Sequence, residues 1–294
     1  MAKILCVIPI TAVIASMFVL PCAEKMTSQE LIAKHLEAIG TPAARMAVKN
    51  RLINGTAEVD FHIGAWGKRA GKSMVVSEGK KYRLGISFPM VDYTGEQVAF
   101  DGKTVTLEEI RPGVRSNLTA FLYDTGFIFS EGLLGGVTST NWLFLDLDGR
   151  KPKPKIEYRG LKKIDGRSLY QLTYEGEKSG VHFLVHFYFD PSTYQHVLSV
   201  HEYTRPWSFS SGGGSGGGGG RTSGGGGVGT EQSGGIVNIV EEFGSFKGID
   251  GLMLPRYYRL ELSYYGQGFT AEWIMNFAEI LHNQQLNPSL FNLQ

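Results

Sequence analysis

Cysteine is almost absent from this chain, with two in 294 residues, Cys6 and Cys22. Both lie in or at the end of an apolar amino-terminal run, so the remainder can hold no internal disulfide and its stability has to come from packing. Net charge is missing too. Twenty-nine Lys and Arg face 28 Asp and Glu, and removing residues 1–23 takes away only Lys3. A neutral chain without runs of like charge lacks the electrostatic footprint of a nucleic-acid binder and has no charged tail. Organised catalytic motifs are lacking as well. No Gly-x-Ser-x-Gly elbow is present, and the glycine run offers G-x-G-x-x-G strings without a strand leading into a helix. Gly71-Lys72-Ser73 and Gly220-Arg221-Thr222 lack the earlier glycine of a phosphate-binding loop.

Four histidines, His182, His186, His196 and His201, fall on two neighbouring strand segments. Residues four apart on a strand lie roughly 13 Å apart along its axis, so His182 and His186 cannot chelate one ion as a helical pair would. They are expected as polar residues of a half-exposed face. Glu241 and Glu242 alternate faces and form no carboxylate pair. No residue is nominated as catalytic, and no metal or cofactor is expected.

What is there begins with residues 1–23, in which Lys3 precedes an apolar run, the pattern of a secretory signal cleaved near Ala23. Val19-Leu20-Pro21-Cys22 is similar to a lipobox, with Pro21 where a small residue is usual. Two mature forms follow: a soluble exported protein, or one acylated on Cys22 and anchored in the outer membrane.

Residues 27–40 read as a helix. Thr27 and Glu30 form a capping box, Leu31, Ile32, Leu36 and Ile39 make an apolar stripe, and Gly40 with Pro42 stops it. Period-two alternation then dominates. Ile53 to Ile63, Tyr82 to Phe88, Val181 to Phe189 and Phe269 to Phe277 each carry one apolar face. Asp-Gly pairs at 101–102, 148–149, 165–166 and 250–251 supply hairpin turns. The fold class predicted is mainly β with a few helices, an antiparallel array of about ten strands. Residues 208–235, almost all Gly and Ser, lie between strand segments and read as a flexible loop within a single domain of residues 24–294.

The alternation breaks over residues 116–136, where apolar spacing suggests short helices interrupted at Gly126 and Gly132. Such an insert serves either as a lid or as a core helix crossing the sheet. Aromatics cluster around it. Trp66, Phe88, Phe121, Phe127, Phe129, Trp142 and Phe144, with Leu133 and Leu134, are the candidate lining of an apolar ligand cavity and its lid. The alternative is ordinary core.

Several segments together carry a resemblance. They are Glu30-Leu31-Ile32-Ala33-Lys34-His35 on the first helix, Ala99-Phe100-Asp101-Gly102-Lys103, and Gly160-Leu161-Lys162-Lys163-Ile164-Asp165-Gly166 leading to Tyr170-Gln171-Leu172. Tyr188-Phe189-Asp190-Pro191-Ser192-Thr193-Tyr194, Gly251-Leu252-Met253-Leu254-Pro255 and Asn287-Pro288-Ser289-Leu290-Phe291 complete the series. In this order the chain resembles the LolA/LolB-like superfamily of exported bacterial proteins, the outer-membrane lipoprotein-sorting proteins. The resemblance implies a curved, half-open antiparallel β-barrel with helices closing its mouth. It also implies a periplasmic, non-enzymatic carrier for acyl chains of a lipid or lipoprotein, passed between membrane donor and acceptor proteins. The glycine-rich loop and the greater length depart from that family. The second reading is a Cys22-anchored receptor or envelope structural protein without cargo.

Overall fold

A computed structural model describes residues 26–62, 67–109, 113–205, 235–264 and 269–293. The signal segment with Cys6 and Cys22, Trp66, and all but the last residue of the 208–235 loop lie outside the described residues. Two helices open the chain, α1 (Ser28–Ile39) and α2 (Pro42–Ala47). Thr27 caps α1 in the capping box read from sequence, with the Glu30 carboxylate accepting from the Thr27 backbone at 2.7 Å.

Five strands follow: β1 (Asn50–Phe61), β2 (Arg69–Glu78), β3 (Lys81–Ser87), β4 (Gly95–Phe100) and β5 (Val105–Leu107). After α3 (Asn117–Asp124) and α4 (Phe127–Ser130), with 3-10 turns at Gly136–Thr138 and Leu143–Asp146, the strands resume. They are β6 (Ile156–Ile164), β7 (Arg167–Lys178), β8 (Val181–Phe189), β9 (His196–Arg205) and β10 (Gly235–Gly244). The short hairpin β11 (Lys247–Ile249) and β12 (Leu252–Leu254) precedes β13 (Tyr257–Tyr264) and β14 (Phe269–His282).

Twelve strands form one antiparallel sheet in the order β5-β4-β3-β2-β1-β14-β13-β10-β9-β8-β7-β6, two more than expected from the alternation. The sheet is an open, curved half-barrel whose edges are β5 and β6. It is two meanders joined where the last strand pairs with the first, from Arg51 opposite His282 to Phe61 opposite Ala271. β9 and β10 are bonded neighbours, so residues 206–234 connect adjacent strands.

This order dictates the position of the insert. The edge strands β5 and β6 are consecutive in the chain, yet eleven strand spacings apart along the sheet, about 50 Å if it were flat. The connecting segment, described from residue 113, bridges them by crossing the concave side. Two neighbouring rings of α4 mark the crossing, since Phe129 packs on Tyr82 and Phe100 of one wing, each with centroids 5.6 Å apart, while Phe127 packs on Phe183 of the other at 5.1 Å. The apolar stripe of β8, Val181, Phe183, Val185, Phe187 and Phe189, is wholly buried beneath this layer.

The turns divide by local chemistry. Asp165-Gly166 and Asp250-Gly251 adopt positive φ at both residues, 47° and 79°, then 49° and 77°, and close β6–β7 and β11–β12 as tight hairpins. Asp101-Gly102 lies in a longer β4–β5 turn, where the Asp101 carboxylate accepts from the amides of Lys103 and Thr104, both at 2.8 Å. Asp148-Gly149 joins no strands. Its Gly149 amide bonds to Asp146 at the end of the insert, so the hairpin reading fails there.

Candidate functional site

The insert is fastened to the half-barrel by buried polar groups. Glu241, fully buried on β10, accepts the Gly135 amide at 2.6 Å and the Tyr258 hydroxyl at 2.7 Å, and its other oxygen meets His201 Nε2 at 3.0 Å. Gly135 has φ 80°, and a Cβ there would lie 2.9 Å from the Tyr82 hydroxyl, so the latch requires glycine. Nearby, the buried Arg51 guanidinium donates to the Val137 carbonyl, and Thr140 N donates to Ser77 Oγ at 3.1 Å. Trp142 Nε1 donates to His35 Nε2 at 3.2 Å, while His35 Nδ1 donates to the Tyr194 carbonyl at 3.0 Å. Burial holds His35 neutral, its pKa pulled down to about 4.

At the end of the half-barrel where β1 finishes and β14 begins, the packing opens into a cavity of about 290 Å³. Its apolar wall is Phe61, Tyr93, Phe269, Trp273 and Leu118, and its polar floor is Glu96 and Ser116. Tyr93 meets Phe61 edge-on with centroids 5.0 Å apart. Glu96 lies on β4 in phase with Val98 and Phe100, which places a carboxyl on the core face of the strand. A directed chain of hydrogen bonds serves it. Trp273 Nε1 donates to the Tyr93 hydroxyl at 2.7 Å, which donates to Glu96 at 2.6 Å; the Ser116 hydroxyl donates to the second carboxyl oxygen.

Burial pushes the Glu96 carboxyl up to about 7, against the opposing pull of the Ser116 and Tyr93 hydroxyls. Ser116 also caps α3, accepting the Thr119 amide at 2.9 Å, so one hydroxyl ties the insert's first helix to the cavity floor. The Tyr264 hydroxyl holds the same helix start through the Asn117 carbonyl at 3.1 Å. Among the described residues, no histidine, cysteine or lysine lines this cavity. Its chemistry is an aromatic box over the buried Glu96 carboxyl, with Asp92 and Arg115 also in its lining.

Of the residues read from sequence as cavity and lid, Phe88, Phe121, Phe129, Leu133, Leu134, Trp142 and Phe144 are buried in one core cluster, with Phe127 packed against it. The structure places these eight in or against one common core. The cavity itself is walled by other residues, and Phe88 is nearest in role, stacking on Tyr93 with centroids 5.5 Å apart. Trp66 lies outside the described residues. Sequence reasoning missed Phe61, Tyr93, Glu96, Ser116 and Phe269. A carboxylate in phase with Val98 and Phe100 was the legible signal, because such a position is apolar unless the charge is engaged.

The histidines divide differently from the sequence expectation. His182 and His186 do point away from the core, bonded to Glu175 at 3.1 Å and Gln171 at 2.9 Å. His196 and His201 are buried instead of half-exposed, because the β8–β9 register turns them toward the insert. Among the described residues, Asp60, His62 and Glu272 bring possible metal-ligand atoms within 4.8 Å of one another on the opposite sheet face from Trp273; Glu272 already accepts Arg259 at 3.2 Å.

The sequence matches no family model and no curated protein. The structure is similar to the crystal structure of the LolA superfamily protein NE2245 from Nitrosomonas europaea. That similarity has 15% identity, 92% of this chain and 99% of that chain covered, and a TM-score of 0.48. It is also similar to a putative outer membrane lipoprotein-sorting protein domain from Vibrio parahaemolyticus, at 10% identity, 89% and 95% coverage and a TM-score of 0.45. A DUF1329 family protein from Desulfovibrio piger follows at 9% identity, 90% and 96% coverage and a TM-score of 0.39.

Proposed function

We propose that this protein is an exported, non-enzymatic carrier that shelters acyl chains of a lipid or lipoprotein inside its half-barrel, admitting them through the aromatic cavity beneath α3. The observation that carries this reading is the cavity, an aromatic box between an open sheet and the first helix of a crossing insert. Its volume of about 290 Å³ lies near the lower end of small-ligand pockets, roughly 300–1,000 Å³. It accommodates the leading part of a chain, and deeper uptake has to displace protein. Each buried methylene contributes about 0.8 kcal/mol, so binding needs no reacting group.

The energetics select which part of the insert yields. Leu118, Phe121, Leu122, Ile128, Leu133, Trp142, Leu143 and Phe144 are at most 1% exposed. Exposing all eight would cost on the order of 10–20 kcal/mol, comparable with the whole stability of a domain. Moving α3 alone exposes three of them and leaves the Glu241 latch closed. α3 is therefore the lid, swinging about Gly126, while residues 127–147 stay as a plug. The chain folds as one domain, and its export fits delivery between envelope membranes.

The test is mass spectrometry of an organic extract from protein expressed with its own signal and purified under mild conditions. Stoichiometric acyl lipid is expected, and lipid-free protein that also refuses a fluorescent fatty acid overturns the carrier reading. Phe269, partly exposed at the cavity mouth, gives the site-specific check. Phe269→Asp is expected to weaken fatty-acid uptake by about tenfold or more, because the carboxylate must be desolvated under the chain, with little change in urea midpoint.

A further inference from the structure

The half-barrel has a second cavity, of about 350 Å³, in the seam between its two wings. Lys80 of the β2–β3 turn borders it on one side, Tyr174 to Lys178 of β7 with Phe183 of β8 on the other, and residues 149–155 of the returning insert lie between. Charge is distributed unevenly here. From Asn117 to Gly149 the insert has four acidic residues and no Lys or Arg, then Arg150, Lys151, Lys153 and Lys155 follow within six positions, interleaved with Pro152 and Pro154. With Lys80 and Lys178 they give the cavity six cations against three carboxylates, Glu131, Glu175 and Glu177.

Two of those carboxylates are engaged. Glu131 is bridged by Lys178 at 3.0 Å, and Glu175 pairs with His182 at 3.1 Å. Arg150 is fixed by donating to the Ser130 and Asn141 carbonyls at 3.1 and 2.9 Å. Lys153 and Lys155 pair only with exposed or half-exposed carboxylates, Asp148 and Glu157, which compete weakly with a multivalent anion. Lys80 and Lys151 have no ion-pair partner among the described residues. The prolines hold the lysines on a segment that cannot join β6 as additional strand, since each lacks a backbone donor.

We propose that this seam binds the phosphate of an anionic lipid head group, with Lys80, Lys151 and Lys153 as its principal cations. That the phosphate belongs to a lipid rests on the carrier reading; the preference for phosphate rests on the cluster itself.

The test pairs flotation on vesicles of phosphatidylglycerol or phosphatidylcholine with a titration of inorganic phosphate, on the wild-type protein and on Lys151→Glu/Lys153→Glu, both exposed positions. Expected are binding to phosphatidylglycerol and not to phosphatidylcholine, weakening with salt, and a fall of about tenfold or more in the variant, while fluorescent fatty-acid uptake is unchanged. Phosphate binding lost in the variant, without vesicle binding, supports the anion site and assigns it to a free phosphate instead of a head group. Undiminished vesicle binding by the variant, or no binding of either probe, overturns the site. Loss of fatty-acid uptake in the wild type is read separately and tells against the carrier alone.

Discussion

Two fully buried glutamates hold different parts of the insert against the sheet, and their surroundings set different tasks. Glu241 meets a backbone amide, a tyrosine hydroxyl and an imidazole, and thereby clamps Gly135 to β10. Glu96 meets two hydroxyls at the floor of an open aromatic box, and burial lifts its carboxyl to about 7. The same side chain is a fastening at Gly135 and, at the cavity floor, a carboxyl that burial lifts toward neutral pH. Under the proposed carrier reading, that contrast separates the plug from the lid.

Breaking the clamp should have the largest effect. Glu241→Ala strands the Gly135 amide, the Tyr258 hydroxyl and His201 without their acceptor, and a loss of about 3–5 kcal/mol is expected in urea unfolding. A loss below about 1 kcal/mol would put the plug assignment in error.

The next test uses pH to set the buried histidines against Glu96. His35 has its folded pKa pulled from 6.5 to about 4, so the unfolded chain binds more protons between those values. Its contribution, roughly 3 kcal/mol, is present above pH 6.5 and lost as pH falls toward 4. His196, also buried and pulled well below 6.5, acts in the same direction. Glu96 is raised from 4.5 to about 7 and has the opposite sign. Its contribution, again roughly 3 kcal/mol, is present below pH 4.5 and lost as pH rises through 7. Glu96→Gln should therefore steepen the rise of stability from pH 4.5 to 6.5 and remove the decline toward 7. Identical pH profiles for variant and wild type would show that Glu96 is not held protonated.

The sequence carried the sheet well and the site poorly, and the reason is the same in both cases. Alternation at Val181–Phe189 and the Thr27–Glu30 box are local patterns, each decided by neighbours within a few residues, and they survive into the structure unchanged. The cavity is assembled from Phe61, Tyr93, Glu96, Ser116 and Trp273, which are far apart in sequence and meet fully only once β14 returns to pair with β1. No window of sequence reports that pairing. The aromatic inventory identified the insert's packing layer instead, since Trp142 and Phe144 fill space and leave none. Charge was misjudged by averaging: a chain of 29 cations and 28 anions conceals the basic stretch at 150–155 behind an acidic insert. His196 and His201 were misplaced because burial depends on the register between β8 and β9, which alternation within either strand does not specify.

The smallest effect is the one that separates lid from floor. Ser116 serves both, capping α3 through the Thr119 amide and donating to Glu96. Ser116→Ala removes a cap worth about 1 kcal/mol, so thermal stability should fall only slightly. The same change deletes a hydrogen bond that favours the charged carboxyl, so the Glu96 titration, followed by carbon-detected NMR of its carboxyl, should move upward. Ser116→Thr retains both bonds and should restore the titration. If the alanine variant leaves the Glu96 titration unmoved while destabilising α3, then Ser116 is a helix cap alone and the lid closes without reference to the charge beneath it.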